Sequence, residues 1–132
     1  MKIFLETAEH LEQYAAVFAQ QLEVGAVLIL SGVMGAGKTT FVKGLARGLG
    51  ATSPVSSPTY TYIHEYETPK GILLHIDAYR LEDPLKLWQM GLAEYLETSF
   101  VVVIEWGLGL QLPQAKQIQI DILETGRTIT HD

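Results

Sequence analysis

The chain has 132 residues, 48% of them hydrophobic, with a net charge of −6 and a pI near 5.1. That length and apolar content suit one compact domain over 1–132, with no room for a second of ordinary size. The acidic balance excludes a stand-alone nucleic-acid binder, the lack of cysteine excludes disulfides and thiolate metal sites, and a mean hydropathy of +0.18 comes without any run long enough to span a bilayer.

Residues 2–5 alternate weakly and read as a short strand; the same N-terminus is too soon charged for a signal peptide. Thr7 is a helix N-cap, with Glu9 and His10 in the first turn. Leu11, Tyr14, Ala15, Phe18 and Leu22 recur at helical spacing and predict an amphipathic helix to about Leu22. Glu23-Val24-Gly25 then turns the chain into Ala26-Val27-Leu28-Ile29-Leu30, the apolar run of a fully buried parallel strand.

The next eight residues, Gly32-Val33-Met34-Gly35-Ala36-Gly37-Lys38-Thr39, fit the phosphate-loop pattern G-x-x-x-x-G-K-[ST], and Thr40 adds a second hydroxyl. The glycines let backbone N–H groups curl around phosphate oxygens, Lys38 supplies a point charge, and the Thr39 hydroxyl is placed to ligate Mg²⁺. Phe41, Val42, Leu45, Ala46 and Leu49 form one face of the following helix. Strand, glycine loop and helix are the context this motif requires, and the helix N-terminus aims its positive end at the anion. A Gly-rich turn with a solvated lysine is the bland alternative; the agreement of all three elements disfavours it. Lys38, Lys43 and Arg47 also form a local basic patch, with Lys38 already committed to phosphate.

The Pro/Ser segment 51–58 reads as a loop, 59–66 as an alternating strand, Thr68-Pro69-Lys70-Gly71 as a turn and 72–77 as the returning strand of a hairpin. Residues 81–96 hold a helix start at Asp83-Pro84, with Gly91 separating two short helices. Phe100-Val101-Val102-Val103-Ile104 is a second fully apolar strand ending at Glu105-Trp106-Gly107, and 117–123 and 127–130 are closing strands around Glu124-Thr125-Gly126. These elements predict a P-loop NTPase-like α/β fold, a three-layer α/β/α arrangement with a mostly parallel central sheet and one antiparallel hairpin.

A phosphate loop alone binds a nucleotide; hydrolysis needs more. Asp77 and Glu105 each end an apolar strand, where open α/β sheets bind their ligands. One fits a Mg²⁺ ligand, direct or through water, and the other a group that orients or deprotonates the attacking water; the pattern accommodates either assignment. Thr59 or Ser57 fits a switch hydroxyl that senses the γ-phosphate, and a Thr opening a strand fits the spacing equally well. Arg80 contacts phosphate or, on the safer prior, pairs with a carboxylate. Trp106 lines the site, faces a partner or packs in the core. His64 and His75 lie within strands and read as packed or exposed on a sheet face rather than catalytic; His10 and His131 carry no signal. With no Cys and no spaced His pair, a transition-metal site is excluded.

Taken in order, the loop at 32–40, Ser57-Pro58-Thr59-Tyr60, His75-Ile76-Asp77-Ala78-Tyr79-Arg80-Leu81-Glu82-Asp83-Pro84, Gly91-Leu92-Ala93-Glu94-Tyr95-Leu96 and Ile104-Glu105-Trp106 resemble the TsaE (also called YjeE) family of small bacterial ATPases over nearly the whole chain. The resemblance implies ATP hydrolysis with Mg²⁺ in the cytoplasm, in biosynthesis of threonylcarbamoyladenosine in tRNA. It implies TsaD and TsaB as partners, with tRNA reached only through them and no membrane involved. By the same resemblance, Gly35, Ala36, Gly37, Lys38, Thr39 and Thr40 cradle the phosphates. Thr39, Asp77 and Glu105 form the metal and hydrolysis site, Thr59 belongs to the switch segment, and Trp106 sits at the edge. Val33 departs from the polar, often acidic residue usual after the first glycine of that loop; it contributes backbone to the cradle. Two other readings compete. A small-molecule kinase shares the G-x-x-G-x-G-K-[ST] pattern but needs an Arg-bearing lid that 132 residues hardly accommodate. A nucleotide-gated binding module would need occupancy without essential hydrolysis. No N-K-x-D guanine motif is present, which disfavours GTP.

Overall fold

The structure, a computed structural model, describes residues 1–32, 37–52, 63–78, 81, 83, 85–106, 110, 112 and 114–132. Its elements run β1 (Lys2–Leu5), α1 (Ala8–Ala19), β2 (Ala26–Ser31), α2 (Lys38–Leu49), β3 (Ile63–Thr68), β4 (Gly71–Asp77), α3 (Lys86–Gln89), α4 (Leu92–Thr98), β5 (Val101–Glu105), β6 (Lys116–Ile122) and β7 (Arg127–His131). The strands form one seven-stranded sheet in the order β1-β7-β6-β2-β5-β4-β3. The central pairings β6–β2, β2–β5 and β5–β4 are parallel. The flanking pairings β1–β7, β7–β6 and the β4–β3 hairpin are antiparallel.

Helices cover both faces, as a three-layer arrangement requires. On one face Leu11 and Phe18 of α1 and Phe41 and Leu45 of α2 pack over Leu28, Leu30, Val101, Val103 and Ile118. On the other, Leu87 of α3 and Leu92 of α4 pack over Val27, Ile29, Leu74, Ile76, Val102 and Ile104. All five residues of β5 are buried, which explains its unbroken apolar run. Each large apolar side chain withdrawn from water contributes about 1.5–3 kcal/mol.

Thr7 caps α1 as expected, its hydroxyl oxygen accepting from the His10 N–H at 3.1 Å. The helix ends at Ala19 rather than near Leu22, because the Gln20 N–H turns to the Val17 carbonyl and the Gln21 N–H to the Phe18 carbonyl, tightening the last turn. Leu22 keeps the apolar spacing from outside the helix, packing against the same core. β3 begins at Ile63 and runs to Thr68, two residues beyond the expected strand end; 59–62 lie outside the described residues.

α1 and α2 approach closely because α2 carries glycine at the contact. A Cβ on Gly44 would overlap the Glu12 carbonyl oxygen and come within 2.6 Å of the Ala15 Cβ, and Gly48 meets Ala16 in the same way. The Gln20 side-chain amide donates to the Gly48 carbonyl beside this contact, and Arg47 pairs with Glu12 at 2.7 Å. That ion pair is exposed and contributes under about 1 kcal/mol. Gly44→Ala should therefore destabilise despite its better helix propensity, by about 1–3 kcal/mol. A lower urea midpoint at unchanged slope would register it.

At the β7 end of the same layer, the His131 ring stands edge-on to Phe18, with centroids 5.2 Å apart. Its Nδ1–H donates to the Asp132 carbonyl at 2.7 Å, so in the neutral ring Nε2 accepts from the Tyr14 hydroxyl at 2.6 Å. Burial raises the Tyr14 pKa above its usual 10.0. The unfolded chain thus releases the phenol proton first as pH rises, so stability holds below the unfolded value and falls through the raised folded one. Urea titrations at about pH 9 and pH 11 should show that fall, and Tyr14→Phe should shrink it.

Candidate functional site

The loop after β2 delivers the chain to α2, whose first residue is Lys38. Gly37 caps that helix at φ 109°, a left-handed conformation that strains any residue with a Cβ; a Cβ there would also sit 2.7 Å from Leu11 Cδ2. Gly37 is thus fixed by backbone and by space. Beyond it the first-turn N–H groups of Lys38, Thr39 and Thr40 have no carbonyl behind them within the helix and face the strand ends with a positive dipole. A helix start of this kind suits an anion. Gly35, Ala36 and Val33 lie outside the described residues, as do Ser57, Thr59 and Arg80.

Lys38 is buried, 6% exposed. Its Nζ donates to the Gly32 carbonyl at 2.7 Å and lies 4.5 Å from the centroid of the Trp106 ring, a cation–π distance. Burial lowers its pKa below the usual lysine value, and the charges of Glu105 and then Asp77 oppose the shift. The basic patch expected from Lys38, Lys43 and Arg47 does not form as one surface: Lys38 is inside, and Arg47 is paired with Glu12 across the helix contact.

The two strand-end carboxylates are brought together. β4 and β5 are parallel neighbours, and Asp77 is the register partner of Glu105. Leu30 of β2 is the register partner of Glu105 on the other side. Paired residues of a parallel ladder share a face, so Asp77 and Glu105 follow Leu73, Val101 and Val103 to the α1–α2 side, where Lys38 enters. Glu105 is 5% exposed and Asp77 half-buried. The Ala78 N–H donates to the Glu105 carbonyl at 2.9 Å, which locks the two strand ends in step.

Trp106 turns the chain out of β5 at φ 62°, and it is the one non-glycine residue with positive φ among the described residues. A bulky residue in the left-handed region costs about 1–3 kcal/mol, and such strain concentrates at functional sites. Its N–H reaches back to the Leu30 carbonyl at 3.3 Å, and its ring covers Lys38. Of the three placements the sequence allows for Trp106, the ring lies over Lys38, where a site edge was expected. It also packs against the α3–α4 core, as the core placement expected.

One residue that sequence reasoning passed over belongs here. His75 is fully buried, and its Nε2 hydrogen-bonds the Glu105 Oε2. Its signal was an ionisable residue inside an apolar strand two positions before an acidic strand end.

The donor set suits a hard divalent cation. Thr39 offers a hydroxyl, Asp77 and Glu105 carboxylates, and no group of three or more His, Cys, Asp or Glu fit to hold a metal occurs among the described residues. Mg²⁺ is commonly held by one or two carboxylates with phosphate and water oxygens completing its shell, so these residues fit it better than a metal needing an all-protein cage.

The family model described as "Threonylcarbamoyl adenosine biosynthesis protein TsaE" matches residues 5–130. A Bacillus subtilis (strain 168) relative named tRNA threonylcarbamoyladenosine biosynthesis protein TsaE is 43% identical over 123 residues, 92% of this chain and 74% of its own. A relative of the same name from Treponema pallidum (strain Nichols) is 37% identical over 134 residues, 98% of each chain. The crystal structure of Bacillus subtilis YdiB shares the fold with a TM-score of 0.79 at 36% identity, covering 99% of this chain and 83% of that one.

Proposed function

The chain belongs to the TsaE family of tRNA threonylcarbamoyladenosine biosynthesis, and from that membership we propose that it binds ATP with Mg²⁺ beside Lys38 and hydrolyses it in support of the TsaB–TsaD pair. The observation that carries the reading is the register match of Asp77 and Glu105 on adjacent parallel strands, facing the helix that Lys38 begins. Lys38 and the first-turn N–H groups of α2 hold the β- and γ-phosphates. Thr39 and one carboxylate hold Mg²⁺, which when bound neutralises charge developing on the γ-phosphate oxygens. The other carboxylate orients the attacking water and accepts its proton. Gly35 and Ala36 complete the cradle, Thr59 senses the γ-phosphate, and Trp106 covers the lysine.

TsaD and TsaB are the proposed protein partners, and the work is cytoplasmic, where ATP and tRNA are found. A net charge of −6 supports contact with tRNA through those partners rather than directly. No helix among the described residues is long and apolar enough to cross a membrane.

The test is ATP turnover with and without TsaB–TsaD, read beside modified tRNA formation. Slow hydrolysis alone and altered turnover with the pair are expected. No Mg²⁺-dependent nucleotide affinity would remove the reading at its root, and stoichiometric phosphorylation of a metabolite would replace it with a kinase.

A further inference from the structure

His75 has no role in the proposed chemistry, yet it occupies one of the most buried positions in the protein, at 0% exposure. It lies on β4 two residues before Asp77, on the same face, and its register partner in β5 is Val103. Leu73 and Val103 beside it belong to the apolar cluster under α1 and α2. A leucine would satisfy that environment at no desolvation cost, whereas an imidazole must find a hydrogen bond. Its Nε2 makes one, a diagonal reach across the ladder to the Glu105 Oε2. Its Nδ1 has no hydrogen-bond partner among the described residues. The polar investment of this ring is therefore directed wholly at one carboxylate.

An ionised carboxylate only accepts, so the shared proton sits on Nε2. The terminal torsion of a glutamate is broad and otherwise weakly restrained. A ring held in a packed core and bonded to Oε2 removes that freedom, leaving Oε1 in a fixed direction for water or metal. From this geometry we infer that His75 is a positioning residue, orienting the Glu105 carboxylate for the nucleotide site. The inference rests on the proposed function for what Glu105 does; the His75–Glu105 contact itself stands apart from it.

The experiment compares wild type, His75→Leu and His75→Gln for Mg·ATP turnover and ATP affinity, with ¹⁵N spectra of the wild-type histidine rings in protein free of nucleotide and metal. Loss of a supporting hydrogen bond of this kind typically costs 10–100-fold. His75→Leu should lose about that much in kcat while holding ATP within about threefold of wild type. His75→Gln, whose amide can donate from nearly the same place, should recover most of the loss. The spectra should show a proton on Nε2 of His75. A proton on Nδ1 with bare Nε2, a leucine variant as active as wild type, or equal impairment in both variants would overturn the inference. Should the leucine variant fail to fold, the tautomer and the glutamine variant decide. If wild type hydrolyses no ATP, the proposed function falls and the tautomer alone judges the contact.

Discussion

Lys38→Met should abolish productive nucleotide handling while leaving the fold in place. The replacement keeps the buried stem and removes the charge. Hydrogen bonds to a charged group contribute about 1.5–3 kcal/mol, so ATP affinity should fall by about 10–100-fold. Turnover should fall further, by about 10²–10³-fold, because in the proposed mechanism phosphate charge builds in the transition state beside Lys38. Two opposing effects set the change in stability. Methionine removes the desolvation that lowers the Lys38 pKa, and it also removes the cation facing Glu105 and Asp77. Calorimetric titration of Mg·ATP, with single-turnover rates, separates the two losses; binding at wild-type strength would show that Lys38 is not on the phosphates.

Glu105→Gln should do the reverse, keeping the nucleotide and losing the chemistry. The amide is isosteric with the carboxylate, so packing in β5 is preserved. The His75 Nε2–H still finds an oxygen if the amide turns its carbonyl toward it. Loss of a general base costs about 10²–10⁴-fold in rate. Affinity for Mg·ATP should move by less than about tenfold, since one carboxylate and the phosphates remain as metal ligands. If Asp77→Asn instead gives the large rate loss and Glu105→Gln the large loss of Mg²⁺ dependence, the roles of the two acids are exchanged. A Glu105→Gln protein that turns over ATP normally while supporting tRNA modification would favour a nucleotide-gated module.

Particular residues explain how far the sequence carried. Strand β2 and α2 were legible because an apolar run and a helical stripe are each local; residues 33–36 of the glycine loop between them lie outside the described residues. Asp77 and Glu105 were legible for the same reason, each an acid closing an apolar run. Their meeting at one register was not, since it depends on β4 and β5 pairing in parallel across an intervening pair of helices. His75 was not legible because a histidine in a strand looks the same whether it packs idly or bonds a carboxylate two residues further along the next strand. Gly44 sat in the α2 pattern without explanation until Glu12 and Ala15 of α1 stood against it. The pairing of β1 with β7 joins opposite ends of the chain, which no local pattern announces. Ser57 and Thr59, the candidate switch hydroxyls, lie outside the described residues.

The strand order has an experimental use. Lys38, Asp77 and Glu105 follow from β2, β4 and β5, whereas β6, β7 and β1 extend the sheet from the other side of β2 and supply none of them. Phe4 and Ile122 on that extension are exposed. The wing offers anchoring points for a fluorophore or a surface tether that stay clear of Lys38, Asp77 and Glu105. Binding at the proposed nucleotide site can then be followed from a reporter that replaces none of its residues.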